Sequence, residues 1–167
     1  MITIPQFPIY RVMVRDAARL LNLITFVSPD EIGGVPSEAI VGKLVGPSTD
    51  LVPENFRRNR NFVRFMHRVI QNVVPQIRDF YVAARDLGTG WLDVHDARAF
   101  VADPKAAATD IIGSFRVAHG VIVAEDYVPN PEHWILSKFG MFTPHPEIQN
   151  QLLAAMRELG VQEVAVE

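Results

Sequence analysis

Apolar positions along this chain change period several times, and each change predicts an element. Val12, Val14, Ala17, Ala18, Leu20, Leu21, Leu23 and Ile24 recur at near-helical spacing with Asp16 and Arg19 outward, which predicts a helix over Arg11–Phe26. From Pro53 to Leu87 a longer helical pattern puts Phe62, Phe65, Met66, Val69, Ile70 and Val73 on one arc. Arg57, Arg60, Arg64 and Arg68 fall at three- and four-residue steps and form a stripe on the opposite arc. Pro53 and Glu54 suit the first turn of that helix. Pro75 lacks an N–H and clashes with the carbonyl four residues back, so a kink is expected near Asn72–Val74. Gln76–Leu87 resumes the helix, and Gly88 stops it.

Shorter patterns predict strands at Trp91–His95, Ile111–Val117 and Val121–Ala124, the last two joined by an Ala118-His119-Gly120 turn. Asn130 as cap and Pro131 as first residue predict a helix closed by Gly140. A final helix is expected over Glu147–Leu159, followed by a strand at Val161–Val166. Pro5 and Pro8 make Met1–Tyr10 an extended arm. Residues 28–53, with several Gly and Pro, read as a long loop holding one short strand at Ala39–Val45, and Ala99–Thr109 reads as loop or as a short helix around the Lys105-Ala-Ala-Ala run. Ile40-Val-Gly-Lys-Leu and Ile111-Ile-Gly-Ser-Phe echo one another, with too few matches to establish a repeat. Helices and strands do not alternate regularly. The expected fold is therefore α+β: three to four helices packed on a small, mainly antiparallel sheet, in a single domain over residues 1–167.

Composition narrows the function classes. The chain has 167 residues, 49% of them hydrophobic, and a mean hydropathy of +0.12. That is apolar enough for a large core or for an oligomer that hides part of the excess. Cysteine is absent, which excludes disulfides, thiol chemistry and Cys-ligated metals. No apolar run reaches the ~20 residues of a membrane span, and the N-terminus lacks the pattern of a signal peptide. The expectation is a soluble, cytoplasmic protein with no membrane partner.

Net charge is only −3, but it is segregated. Residues 53–85 hold seven Arg against Glu54 and Asp79, and residues 86–132 hold eight acids against Arg98, Lys105 and Arg116. A block of +5 is thus followed by one of −5, and the simplest expectation is that they meet, within the chain or between copies. Arg forks bind carboxylates bidentately, so Arg57, Arg60, Arg64 and Arg68, flanked by His67, are the candidate interface residues. Three lysines and overall acidity argue against a dedicated nucleic-acid binder, although the Arg stripe could contact phosphates.

Candidate chemistry is sparse. Asp93 and His95 would share one face of a strand, with Asp96 beside them, and an acid next to an imidazole can set its tautomer for base catalysis. Those three are weak catalytic candidates, with His119 or His133 as further partners. No metal-binding spacing, nucleophile elbow or phosphate-binding glycine loop is present, so no metal or cofactor is expected. The leading expectation is a non-enzymatic interaction or assembly protein, an oligomer or a subunit of a larger complex, using the Arg-striped helix against an acidic surface. The alternative is a small hydrolase-like or metal-assisted enzyme at Asp93-His95-Asp96. Anion or nucleic-acid binding by the stripe is a third.

Overall fold

The computed structural model describes residues 5–32, 36–99 and 109–166. Its first element is not the expected helix over Arg11–Phe26. Strands β1 (Tyr10–Asp16) and β2 (Arg19–Thr25) form an antiparallel hairpin instead, in register from Tyr10↔Thr25 to Asp16↔Arg19. Ala17 turns the chain with φ 53, a left-handed conformation uncommon outside Gly and Asn. Val12, Val14, Leu21 and Leu23 lie on one face of the ribbon, and Met13, Leu20 and Ile24 on the other, mixed with Arg11, Arg15 and Asn22.

A short helix α1 (Pro29–Ile32), a 3₁₀ turn at Ser37–Ala39 and strand β3 (Gly42–Leu44) occupy part of the long Gly/Pro-rich loop, with β3 inside the expected Ala39–Val45. Strand β4 (Phe56–Arg58) pairs with β3, completing a four-stranded antiparallel sheet in the order β1-β2-β3-β4. This pairing corrects the predicted start of the long helix. Pro53–Asn55 is a 3₁₀ turn, and α2 begins only at Arg60 (Arg60–Val73). Asn59 sets the boundary: its Oδ1 accepts from the Asn61 N–H at 3.2 Å, while its Nδ2 donates to the carbonyls of Ser37 and Ile40. Gly42 is required at the seam, since a Cβ there would stand 2.4 Å from the Phe56 ring.

Val74–Gln76 forms a 3₁₀ turn around Pro75, so the expected break falls where proline places it, and α3 (Arg78–Leu87) comes next. Gly88 ends α3 with φ 79. Strands β5 (Gly90–His95), β6 (Ile111–Ala118) and β7 (Val121–Pro129) make a second antiparallel sheet, with His119-Gly120 at the tight turn. The expected helix from Asn130 to Gly140 is absent. The segment turns at Pro131 and forms a small hairpin of β8 (Leu136–Ser137) and β9 (Gly140–Met141). The last helix, α4 (Pro146–Val166), runs through Gly160 and through the residues expected to form a terminal strand. Most of the loop expected over Ala99–Thr109 lies outside the described residues.

The fold is α+β; among the described residues there are four helices and antiparallel sheets, three sheets standing where one was expected. One apolar core joins them. Phe62, Met66 and Ile70 of α2 are fully buried, as are Ile112 and Phe115 of β6 and Ile148, Leu152 and Met156 of α4. The N-terminal segment does not stand out as the expected extended arm. Pro5–Ile9 has no regular structure, but Phe7 is buried and stacks on Phe26 with ring centroids 4.1 Å apart. The Pro5 carbonyl accepts from Gln149 of α4 at 2.7 Å, and residues 1–4 lie outside the described residues.

Candidate functional site

The three candidate catalytic residues of β5 and its end go separate ways. Asp93 accepts a 2.6 Å hydrogen bond from the Ser114 hydroxyl on the neighbouring strand. His95 is exposed, and its side chain has no hydrogen-bond partner among the described residues. Asp96 turns inward past the irregularity at Val94/His95 and is 3% exposed.

Asp96 is the centre of a buried polar junction. One carboxylate oxygen accepts from the backbone N–H groups of Thr143 (2.8 Å) and Arg98 (3.2 Å). The other lies 2.9 Å from His133 Nε2 and 3.2 Å from Arg98 Nε. Arg98, with its side chain almost wholly out of solvent, donates to the carbonyls of Trp134, Ile135 and Gly140. A second acid, Asp110, stands 3.7 Å from Arg98 Nε. Burial and the nearby Asp96 carboxylate push the Asp110 carboxyl up, against the pull of Arg98. These contacts tie the end of β5 to the 133–143 segment, so the junction holds the fold. Of the partners weighed for an Asp/His site, His133 does meet Asp96, while His119 caps a turn between β6 and β7.

A different set of side chains lines open space. Three adjoining hollows of about 370, 340 and 640 Å³ run along the segment from β7 to β8, the first against Pro53, Phe56 and Arg58 and the other two against α2. The first two share Arg58, Pro131, His133 and Ile135, and the second and third share Val63, His67 and Pro129. They form one groove. Arg58 comes from β4, Arg64, His67, Arg68 and Gln71 from successive turns of α2, and Tyr127 from β7.

His67 sits at the middle of this groove with Nδ1 2.6 Å from the Tyr127 hydroxyl. Burial, then the neighbouring His133 and Arg58, lowers the His67 pKa to about 4. Burial also raises the Tyr127 phenol above its ordinary value, so it stays protonated. A protonated phenol that donates to Nδ1 leaves the neutral ring its own proton on Nε2. Tyr127 can approach only because Gly113 has no side chain; a Cβ there would stand 2.3 Å from the phenol oxygen.

The interface candidates divide as well. Arg57 lies on β4, off the helix, and donates to the Phe56 carbonyl at 3.1 Å. Arg60, Arg64 and Arg68 keep the helical stripe and are exposed. Arg68 pairs with Glu38 at 2.8 Å, while the side chains of Arg60 and Arg64 have no hydrogen bond or ion pair among the described residues. Among those residues the stripe does not meet the acidic block of its own chain. Arg116 answers Asp126 at 2.7 Å, and Arg98 answers Asp96 and Asp110. The acidic block thus pairs internally, and the stripe's one ion pair, Arg68 with Glu38, reaches outside both blocks.

The hairpin was missed by sequence reasoning. β3 supports β2 only from Asn22 to Ile24, so the ribbon from Val14 to Leu21 extends beyond the sheet. Met13 is 60% exposed and Leu20 54%. On the outer face of the β5–β7 sheet Trp91 and Val121 are similarly open. Among the described residues no cluster of three metal-ligating side chains occurs, and no helix is long and apolar enough to cross a membrane. No protein-family model, curated protein or solved structure matches this chain.

Proposed function

We propose that the chain is a non-enzymatic assembly protein that associates with further copies of itself through its β1–β2 hairpin. The observation that carries this reading is the hairpin from Met13 to Asn22, which holds Met13, Val14 and Leu20 in the open and mostly lacks a third strand. A two-stranded ribbon is marginal in water on its own, and apolar side chains on both faces favour a surface that covers them.

Charge suggests which surface. The hairpin sequence holds Arg11, Arg15 and Arg19 against one acid, Asp16. The β5–β7 sheet exposes Trp91, Val121 and Val128, and carries the exposed Glu125 on β7. An apolar basic ribbon fits an apolar acidic sheet face, and a two-fold arrangement would make the contact reciprocal. The arginines of α2, read from the sequence as the contact surface, become secondary to the hairpin in this proposal.

Light scattering on the purified chain tests the reading. The expected mass is a multiple of 18.7 kDa. A Met13→Glu/Leu20→Glu variant should be folded and monomeric. A wild-type protein that is strictly monomeric at high concentration overturns the proposal. The enzymatic alternative has less support, because Asp93, His95 and Asp96 each have different surroundings and Asp96 is occupied by Arg98, Thr143 and His133.

A further inference from the structure

The groove along α2 plays no part in self-association through the hairpin, and its chemistry is distinct. Its walls contribute Arg58, Arg64 and Arg68 against a single acid, Glu38. Arg68 and Glu38 are 2.8 Å apart and neutralise one another. Two positive charges remain. Arg64 has no partner among the described residues, and Arg58 has only long backbone contacts such as the His133 carbonyl at 3.4 Å. Between them stands His67, whose Nδ1 is taken by Tyr127.

We infer that this groove binds a small phosphomonoester, its phosphoryl oxygens held by Arg58, Arg64 and the Nε2–H of His67, with its organic part lying on Val63 and Pro129. A phosphomonoester carries close to two negative charges at neutral pH and so matches the two uncompensated guanidinium groups, whereas a carboxylate carries one. Three separate donors, on β4 and on successive turns of α2, suit a tetrahedral oxyanion; a planar carboxylate is satisfied by one arginine fork. The hollows have the volume of small-ligand sites. Because His67 is neutral above pH ~4, its ring serves as a fixed hydrogen-bond donor in the empty groove. A bound dianion beside it would draw its pKa upward.

Titration calorimetry on the full chain with phenyl phosphate, inorganic phosphate and benzoate tests this, together with NMR of the His67 ring. Phenyl phosphate should bind best, and benzoate about tenfold more weakly or worse. Arg64→Ala lies on an exposed helix face and leaves the fold alone; it should weaken phenyl phosphate about tenfold or more, the loss of one charge-assisted hydrogen bond. Arg157→Ala, which removes an exposed arginine paired with Glu31, should change nothing. The His67 titration should move to higher pH when the ligand is present. No binding, equal affinity for benzoate, or equal losses in the two arginine variants would overturn the inference. So would tighter binding of a single-stranded oligonucleotide through the same residues, which would make the groove a nucleic-acid surface.

Discussion

His133 Nε2 lies 2.9 Å from the Asp96 carboxylate, across 37 residues of sequence, with both side chains almost fully buried. The pair is one arm of a larger junction, since the same carboxylate also neutralises Arg98. Removing the acid leaves the buried Arg98 guanidinium with Asp110, at 3.7 Å, as its nearest counter-charge, and breaking a buried pair from one side costs about 3–5 kcal/mol. Asp96→Ala should therefore destabilise by that amount in urea unfolding. His133→Ala leaves Asp96 and Arg98 together and should cost clearly less. A double-mutant cycle between the two should show coupling; strict additivity would mean that the contact contributes nothing of its own.

Acid should unfold the protein through a second histidine. His67 has a folded pKa of about 4 against 6.5 in a free chain. The unfolded state thus takes up a proton that the folded state refuses. This histidine's contribution is fully present above pH ~6.5 and is lost as pH falls toward 4, amounting to about 3 kcal/mol at the lower end. The charged and titratable neighbours that matter are His133, Arg58 and Tyr127. His67→Gln keeps a partner for the Tyr127 hydroxyl and removes the titration. Its stability should vary less between pH 6.5 and 4 than that of the wild type. Parallel acid curves for the two proteins would show that His67 is not the group responsible.

The sequence made some of this visible. The break at Pro75 and the β5–β7 sheet obey local rules: a residue without an N–H, and alternating apolar runs around a His-Gly turn. The hairpin at Tyr10–Thr25 was not legible, because eight apolar residues in that stretch satisfy both periods and the turn uses Ala17 where Gly or Asn would announce it. The 130–140 segment has good helix-start residues, yet Arg98 binds its carbonyls at Trp134, Ile135 and Gly140, so a long-range partner holds them away from helical pairing. The groove shows the same limit. Arg64 and His67 stood out in the stripe, but Tyr127 and Arg58 come from separate strands, and no spacing in the chain relates them.

Two glycines should prove intolerant for different reasons. An alanine Cβ at Gly42 meets the Phe56 ring at 2.4 Å and the Arg57 carbonyl at 2.6 Å, and the second neighbour is backbone. At Gly113 the obstacle is the Tyr127 side chain alone, 2.3 Å from the phenol oxygen. Overpacking typically costs about 1–3 kcal/mol, and Gly42→Ala should lie at the upper end because strand β4 itself must shift. Gly113→Ala should be milder, but it should displace Tyr127 from His67. The measurement that separates them is the His67 ring titration by NMR, which should change in Gly113→Ala and stay put in Gly42→Ala.

The hairpin makes a prediction that does not depend on any substitution. Its amides from Val14 to Leu21 lack the third strand that protects Asn22–Ile24, and a two-stranded ribbon opens readily. If another copy covers its apolar faces, opening requires dissociation first, so protection should rise with protein concentration. Hydrogen exchange measured at low and high concentration should show slower exchange at Val14 and Leu21 in the concentrated sample. Val94, Ile112 and Phe115 sit in the core of the other sheet and should exchange at the same rate in both samples. Concentration-independent exchange throughout the ribbon would mean that the hairpin stands alone in water, and the proposed assembly surface would have to be sought elsewhere.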